Sequence, residues 1–382
     1  MKVYDAAHIR NVALVGHSGC GKTQLASAML FAAGAATRLG LVDDGSTITD
    51  FDEEAIARKH TLAASLAHAE WRQTKINIVD TPGVANFLTE ARSALRVVEC
   101  ALVVVDAVAG VEVQTEKLWA EAAALGLPRI VVVNRLDRDR ASTERTLESL
   151  RRSCAREIAP IQIPIGAEGD WTGIVDLLRM KALTFLADGS GAMTEIEIPE
   201  DLVAGATEAR EQLVEMVAEG DERLMEIYFA DGTLTQEQLV EGLRAGTVAG
   251  RLYPMAYTSG LRVIGVQPLL DVIVDHVPSP AERDVPGVSN DGDGTGEATT
   301  VKATDDAPPI ALAWKTVADP FAGRITMLRA VSGTLASDTT THNLTRDSSE
   351  RLGHLLVLQG KTQTQVAALK AGDLGAAANP HR

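Results

Sequence analysis

Three apolar runs, Val12-Ala13-Leu14-Val15, Ile76 to Val79 and Ile130-Val131-Val132-Val133, each stop at a short polar segment. The segments are Gly16-His17-Ser18-Gly19-Cys20-Gly21-Lys22-Thr23, Asp80-Thr81-Pro82-Gly83 and Asn134-Arg135-Leu136-Asp137. Apolar runs without alternation read as strands buried on both faces, as parallel sheets require, so an α/β fold with helices on both faces is expected. The first segment has the form G-x-x-x-x-G-K-[ST] and leads into the helix-forming stretch Leu25-Ala26-Ser27-Ala28-Met29-Leu30. Strand, loop and helix in that order are the context a phosphate-cradling loop needs. Gly16, Gly19 and Gly21 let backbone amides close around phosphate oxygens, with His17, Ser18, Cys20 and Gln24 completing the loop. The helix beginning near Lys22 adds its positive dipole end, Lys22 supplies a point charge to the outer phosphates, and the Thr23 hydroxyl is placed to ligate Mg²⁺.

Asp80 stands at a strand's carboxyl end facing the phosphates, where a carboxylate reaches Mg²⁺ through water. Thr81 and Pro82 carry the chain on to Gly83, whose backbone N–H can approach a γ-phosphate; a loop tethered in this way moves once that phosphate leaves. Taken alone, Asp-Thr-Pro-Gly reads equally well as an ordinary turn. The third segment adds base chemistry. The Asp137 carboxylate can accept both N1–H and the 2-amino group of guanine, whereas adenine offers neither donor there, so Asn134 and Asp137 select GTP over ATP. Arg135 can lay its apolar stem along the base. GTP or GDP with Mg²⁺ is the expected ligand set.

At 382 residues the chain is long enough for two to three domains, and 46% apolar residues agree with globular cores. Cys20, Cys100 and Cys154 show neither metal nor disulfide spacing, which reads as a reducing, cytoplasmic setting. No 18-residue apolar run or signal-peptide pattern occurs, so no membrane association is expected. A net charge of −16 argues against general affinity for nucleic acid, and any RNA partner must be met through a local patch. The polar segment from Asp43 to Leu62 lacks periodicity and reads as a mobile loop, in which Thr61 can complete the Mg²⁺ shell when a γ-phosphate is present. His60 and His68 read as surface or core residues rather than ligands.

Ala206 to Glu219 and Gln236 to Arg244 read as amphipathic helices in an acidic stretch. Residues 281–308, rich in Pro, Gly, Asp, Ser and Thr around Asn290-Asp291-Gly292-Asp293-Gly294, read as a flexible acidic linker. Beyond them, Ile310 to Lys315 and Arg324 to Arg329 alternate as strands, separated by turns at Asp319-Pro320, Ser332-Gly333 and Ser337-Asp338.

Asp106-Ala107-Val108-Ala109-Gly110-Val111-Glu112, Asn134 to Arg138, Pro164 to Glu168, Gly173 to Leu178 and Gly265 to Asp271 resemble stretches of elongation factor G, a translational GTPase, and the resemblance runs over essentially the whole chain. It implies a P-loop GTPase domain over residues 1–280, an α/β insert at about 160–252, and a small β-barrel second domain over 309–382, incomplete at its C-terminus. It further implies that Thr258-Ser259-Gly260 contacts the guanine O6, and that a monomer hydrolyses GTP in a ribosome-linked cycle, touching rRNA and the small subunit through the second domain. Departures matter equally. Val84 stands where the family carries its water-orienting His, beside Gly83 and Lys22, so weak intrinsic catalysis is expected. Gly19 replaces Asp, Gln24 replaces Thr, and Arg58-Lys59-His60-Thr61 replaces Arg-Gly-Ile-Thr, a combination closer to the elongation factor G-like paralogues. Two functional classes stay open: a GTPase stimulated by a large partner, and a slow or non-hydrolysing GTP-dependent binding factor or sensor. An ATP-using P-loop enzyme is a weaker third reading, which Asn134 and Asp137 oppose.

Overall fold

The computed structural model describes residues 2–289, 296–319 and 323–379. Its N-terminal part is built on strands β1 (Ile9–Val15), β2 (Ser65–Trp71), β3 (Thr74–Asp80), β4 (Cys100–Asp106), β5 (Arg129–Asn134) and β6 (Ile158–Pro160). An insert contributes β7 (Gln162–Ile165), β8 (Gly173–Asp176), β9 (Lys181–Phe185) and β10 (Met193–Ile196), and β11 (Tyr253–Thr258) returns to the main sheet. That sheet has the order β2-β3-β1-β4-β5-β11-β6, parallel throughout except for β2. The three apolar runs lie within β1, β3 and β5, every residue of β3, β4 and β5 is buried, and the strands feed two cores by alternation. Val12 and Leu14 face one core, with α1 (Lys22–Ala32) and α9 (Val266–His276). Ala13 and Val15 face the other, with α3 (Leu88–Leu95), α4 (Val113–Ala124) and α5 (Thr143–Ser153).

The register sets the carboxyl ends of the strands side by side: Leu14 opposite Asp80, and Asn134 opposite both Asp106 and Thr258. In an open parallel sheet this is the edge where ligands are bound. The two expected helices of the insert are present with longer bounds, α6 (Glu200–Glu219) and α8 (Gln236–Val248), and α7 (Glu222–Asp231), which the sequence reading passed over, lies between them. The segment from Asp43 to Leu62 holds a short helix, α2 (Glu53–Arg58), whose six residues are too few to display a period.

The stretch expected as linker differs from that expectation: β12 (Val285–Val288) pairs antiparallel with β13 (Ala298–Val301). Residues 290–295, which include the acidic core, and Pro320 of the expected turn lie outside the described residues. The remaining strands are β14 (Ile310–Asp319), β15 (Gly323–Ser332), β16 (Leu335–Ala336), β17 (Thr339–Asn343), β18 (Ser348–Leu352), β19 (His354–Gln359), β20 (Thr362–Val366), β21 (Ala368–Leu369) and β22 (Leu374–Asn379). Five of them form a sheet of order β14-β15-β22-β19-β20, and no pairing joins β14 to β20 among the described residues. This β-rich part is bonded to the first sheet through buried polar groups. Lys75 Nζ lies 2.8 Å from both Asp373 carboxylate oxygens, Asn77 Nδ2 donates to Asp373 at 2.9 Å, and Arg329 pairs with the fully buried Glu99. Charges this deeply buried are tolerated only as pairs, so the network fixes one seating of the two parts.

Candidate functional site

At the carboxyl edge of the main sheet a cavity of about 380 Å³ is lined by Ser18, Gly19, Gly21, Lys22, Thr23, Gln24, Thr61, Gly83, Val84, Asn134, Arg135, Asp137 and Gly260, and also by Asp50, Lys59 and His60. The remaining residues expected at a site form its supporting wall. Thr81 donates to Leu14 O at 2.6 Å and ties the end of β3 to β1. Pro82 is buried behind it. The Cys20 thiol donates to His17 O at 3.0 Å and is pushed above its ordinary pKa by burial. Ser259 is fully buried and accepts from the Arg262 amide at 3.1 Å, leaving Gly260 and Leu261 to face the cavity. His17 turns away: its amide donates to Thr115 Oγ1 at 3.2 Å, and its Nε2 lies 3.6 Å from Glu112.

Helix α1 begins at Lys22 on a left-handed Gly21. Lys22 Nζ folds back over the loop, donating to Gly16 O at 3.0 Å and His17 O at 2.8 Å. Gly83 lies directly on that loop. A Cβ added there would stand 2.5 Å from Lys22 Nζ and 2.6 Å from Ser18 N, so only glycine allows this approach.

Next to Lys22 a set of oxygens converges. Thr23 Oγ1 and Thr61 Oγ1 share a hydrogen bond of 2.7 Å, Thr61 donates to Asp50 Oδ2 at 2.9 Å, and Thr49 donates to Asp80 Oδ2 at 2.8 Å. Asp80 is fully buried and its Oδ1 has no partner among the described residues. Burial, with the negative charge of Asp50 added, pushes its carboxyl up to about 7. Burial raises Asp50 as well. The Lys22 charge offsets this only in part, so two adjoining buried carboxylates, one with a partnerless oxygen, leave the cluster short of positive charge.

The opposite end of the cavity is set by the end of β5. Asn134 Nδ2 donates to Cys20 O at 2.9 Å, while its Oδ1 accepts from Thr258 Oγ1 and from the Gly260 amide, each at 3.1 Å. Asn134 is thus a brace between the glycine loop and the loop after β11. Arg135, held in the left-handed region at φ 66°, pairs with Asp106 Oδ2 at 3.1 Å, and Asp106 is oriented by the Val108 and Ala109 amides. Gln24 links the same walls, donating to Gly40 O at 3.1 Å and Gly260 O at 3.3 Å. Asp137 Oδ1 is buried at the cavity and has no partner among the described residues.

Thr49, Asp50, His60 and Asp106 were not singled out by the sequence reading as site residues. Asp106 was accessible to it, since it ends β4 as Asp80 ends β3. The other three sit in the aperiodic segment, where no pattern distinguishes an inward from an outward side chain.

The family described as Elongation factor Tu GTP binding domain matches residues 7–279. A crystal structure of a protein from Thermus thermophilus aligns with 36% sequence identity and a TM-score of 0.83, covering 97% of this chain and 52% of that one. The chain therefore spans about half the length of that protein.

Proposed function

The chain belongs to the Elongation factor Tu GTP binding domain family, and from that premise we propose that it binds GTP and GDP with Mg²⁺ and hydrolyses GTP slowly, in a cycle linked to the ribosome. One observation carries the nucleotide reading: Asp137, which lines the cavity, holds a buried carboxylate oxygen without a partner among the described residues. A buried acceptor with no donor is unfavourable by about 1–3 kcal/mol, more when charged, and a guanine edge supplies the missing donors.

In this reading the amides from Ser18 to Thr23 and the start of α1 receive the phosphates. Lys22 exchanges its carbonyl partners for β- and γ-phosphate oxygens, and Gly83 meets the γ-phosphate through its N–H. Thr23, Thr61, Asp80 and Asp50 form an all-oxygen donor set that suits a hard cation, and Asp80 has a free lone pair for a metal-bound water. Mg²⁺, when bound, neutralises charge on the phosphate oxygens. Arg135, steadied by Asp106, flanks the base with its stem.

Val84 faces the cavity with an apolar side chain and cannot hydrogen-bond a water. Unassisted turnover is therefore no faster than the roughly 10⁻⁴ to 10⁻² s⁻¹ of GTPases without external help. The same residue supports the second reading, a GTP-dependent ribosome-binding factor or sensor with little turnover. By resemblance, the β-rich part meets the small ribosomal subunit, the setting is cytoplasmic and the chain is monomeric. Thr61→Ala is the test: GTP affinity falls at least tenfold while GDP affinity stays within threefold, measured by titration calorimetry. Equal losses for the two nucleotides would mean that Thr61 acts as a structural residue and not as a sensor of the γ-phosphate.

A further inference from the structure

Hydrolysis of a bound triphosphate requires a group that aligns water against the γ-phosphorus, and the phosphate end of the cavity narrows the choice. With the triphosphate bound, Lys22 is taken up by phosphate oxygens and Thr23, Thr61 and Asp50 by the cation, while Lys59 pairs with Asp43 at 3.1 Å. Val84 offers no polar atom. Ser18 and His60 line this end with no side-chain hydrogen bond among the described residues, and only the imidazole offers a ring nitrogen that can accept from water while its other nitrogen donates. The position of His60 is fixed from both sides. Lys59 caps α2 in the left-handed conformation at φ 53°, and the His60 amide donates to Ala55 O at 3.2 Å. On its other side Thr61, one peptide unit or about 3.8 Å away between Cα atoms, is bonded to Thr23 of the glycine loop.

We infer that His60 is the water-orienting residue of this site, taking from the 43–62 segment the role that Val84 cannot perform. The inference rests on the GTP-hydrolysing reading. In the step it assists, the water oxygen forms the new bond to the γ-phosphorus while the bond from that phosphorus to the bridging oxygen breaks. GDP leaves with the electron pair, and both water protons finish on the released phosphate. The imidazole holds the water in line and takes no net proton. His60 is exposed, so its replacement leaves the fold intact.

The test uses His60→Ala in the 382-residue chain, with GDP plus aluminium fluoride as a mimic of the transferring phosphoryl group. GDP affinity stays within twofold of the parent, affinity for GDP with aluminium fluoride drops at least tenfold, and single-turnover phosphate release slows at least tenfold. If the variant holds the fluoride complex as tightly as the parent does, His60 does not face the water and the inference is overturned. A parent chain that fails to bind GDP would instead overturn the functional reading itself.

Discussion

Asn134→Ala separates bracing of the cavity from contact with the base. Asn134 is 1% exposed, and its side chain makes three hydrogen bonds of 2.9 to 3.1 Å, to Cys20 O, Thr258 Oγ1 and the Gly260 amide, besides a longer one of 3.4 Å to Gly21 O. At a net value of about 1 kcal/mol each, their loss removes about 3 kcal/mol, roughly a 150-fold change in an equilibrium. The effect falls on the joint between the glycine loop and the loop after β11, before any nucleotide is chosen. GDP and GTP affinities should therefore fall together by one to two orders of magnitude, read by calorimetry. The Gly260 amide, deprived of its acceptor, should exchange its hydrogen roughly ten to a hundred times faster, read by mass spectrometry on the peptide that contains it. Unchanged exchange at Gly260 together with nucleotide affinities within threefold of the parent would refute the bracing argument.

Two further outcomes follow from buried charge away from the cavity. His276 is 2% exposed with Nδ1 unpartnered among the described residues, and burial pushes it down to about 4 from 6.5. Between those values the unfolded chain binds the extra proton, so this residue's contribution to stability is full above pH 6.5 and is lost on acidification towards 4, by at most about 3 kcal/mol. Urea midpoints measured across that range for His276→Leu should show a shallower loss on acidification than the parent, and identical slopes would count against it. Asp373→Ala strands the buried Lys75 ammonium, a change of about 3–5 kcal/mol. Limited proteolysis should then cut between the α/β part and the β-rich part sooner than in the parent, whereas an unchanged digestion rate would show that the pair does not hold the two parts together.

The α/β core was legible because its strands are buried on both faces: β1, β3 and β5 appear as apolar runs that end on polar motifs, and β4 repeats the pattern with its run ending on Asp106. The β12–β13 hairpin was not legible, since its residues, among them Pro286 and Gly287, have the composition of a linker and their pairing is set by register and not by apolar alternation. The short helix α2 failed for a related reason, its order coming from the Asp52 cap, which accepts from the Glu54 and Ala55 amides. At the site, residue identities reached the glycine loop, Asp80 and Asp137, but not their partners. That Asn134 braces two loops, and that Thr49 and Asp50 close over Asp80 and Thr61, depends on tertiary placement of a segment without period.

Whether Asp137 reads the guanine edge is measured by competition between nucleotides. With Mg²⁺ present, GTP and GDP should each displace a fluorescent guanine nucleotide at concentrations at least a hundredfold below those ATP requires. Two charge-assisted hydrogen bonds to Asp137, at about 1.5–3 kcal/mol each, amount to that factor or more. Asp137→Asn should erase most of the preference and admit xanthosine nucleotides, because the amide replaces an acceptor by a donor. Equal displacement by ATP and GTP in the parent chain would show that Asp137 does not select the base.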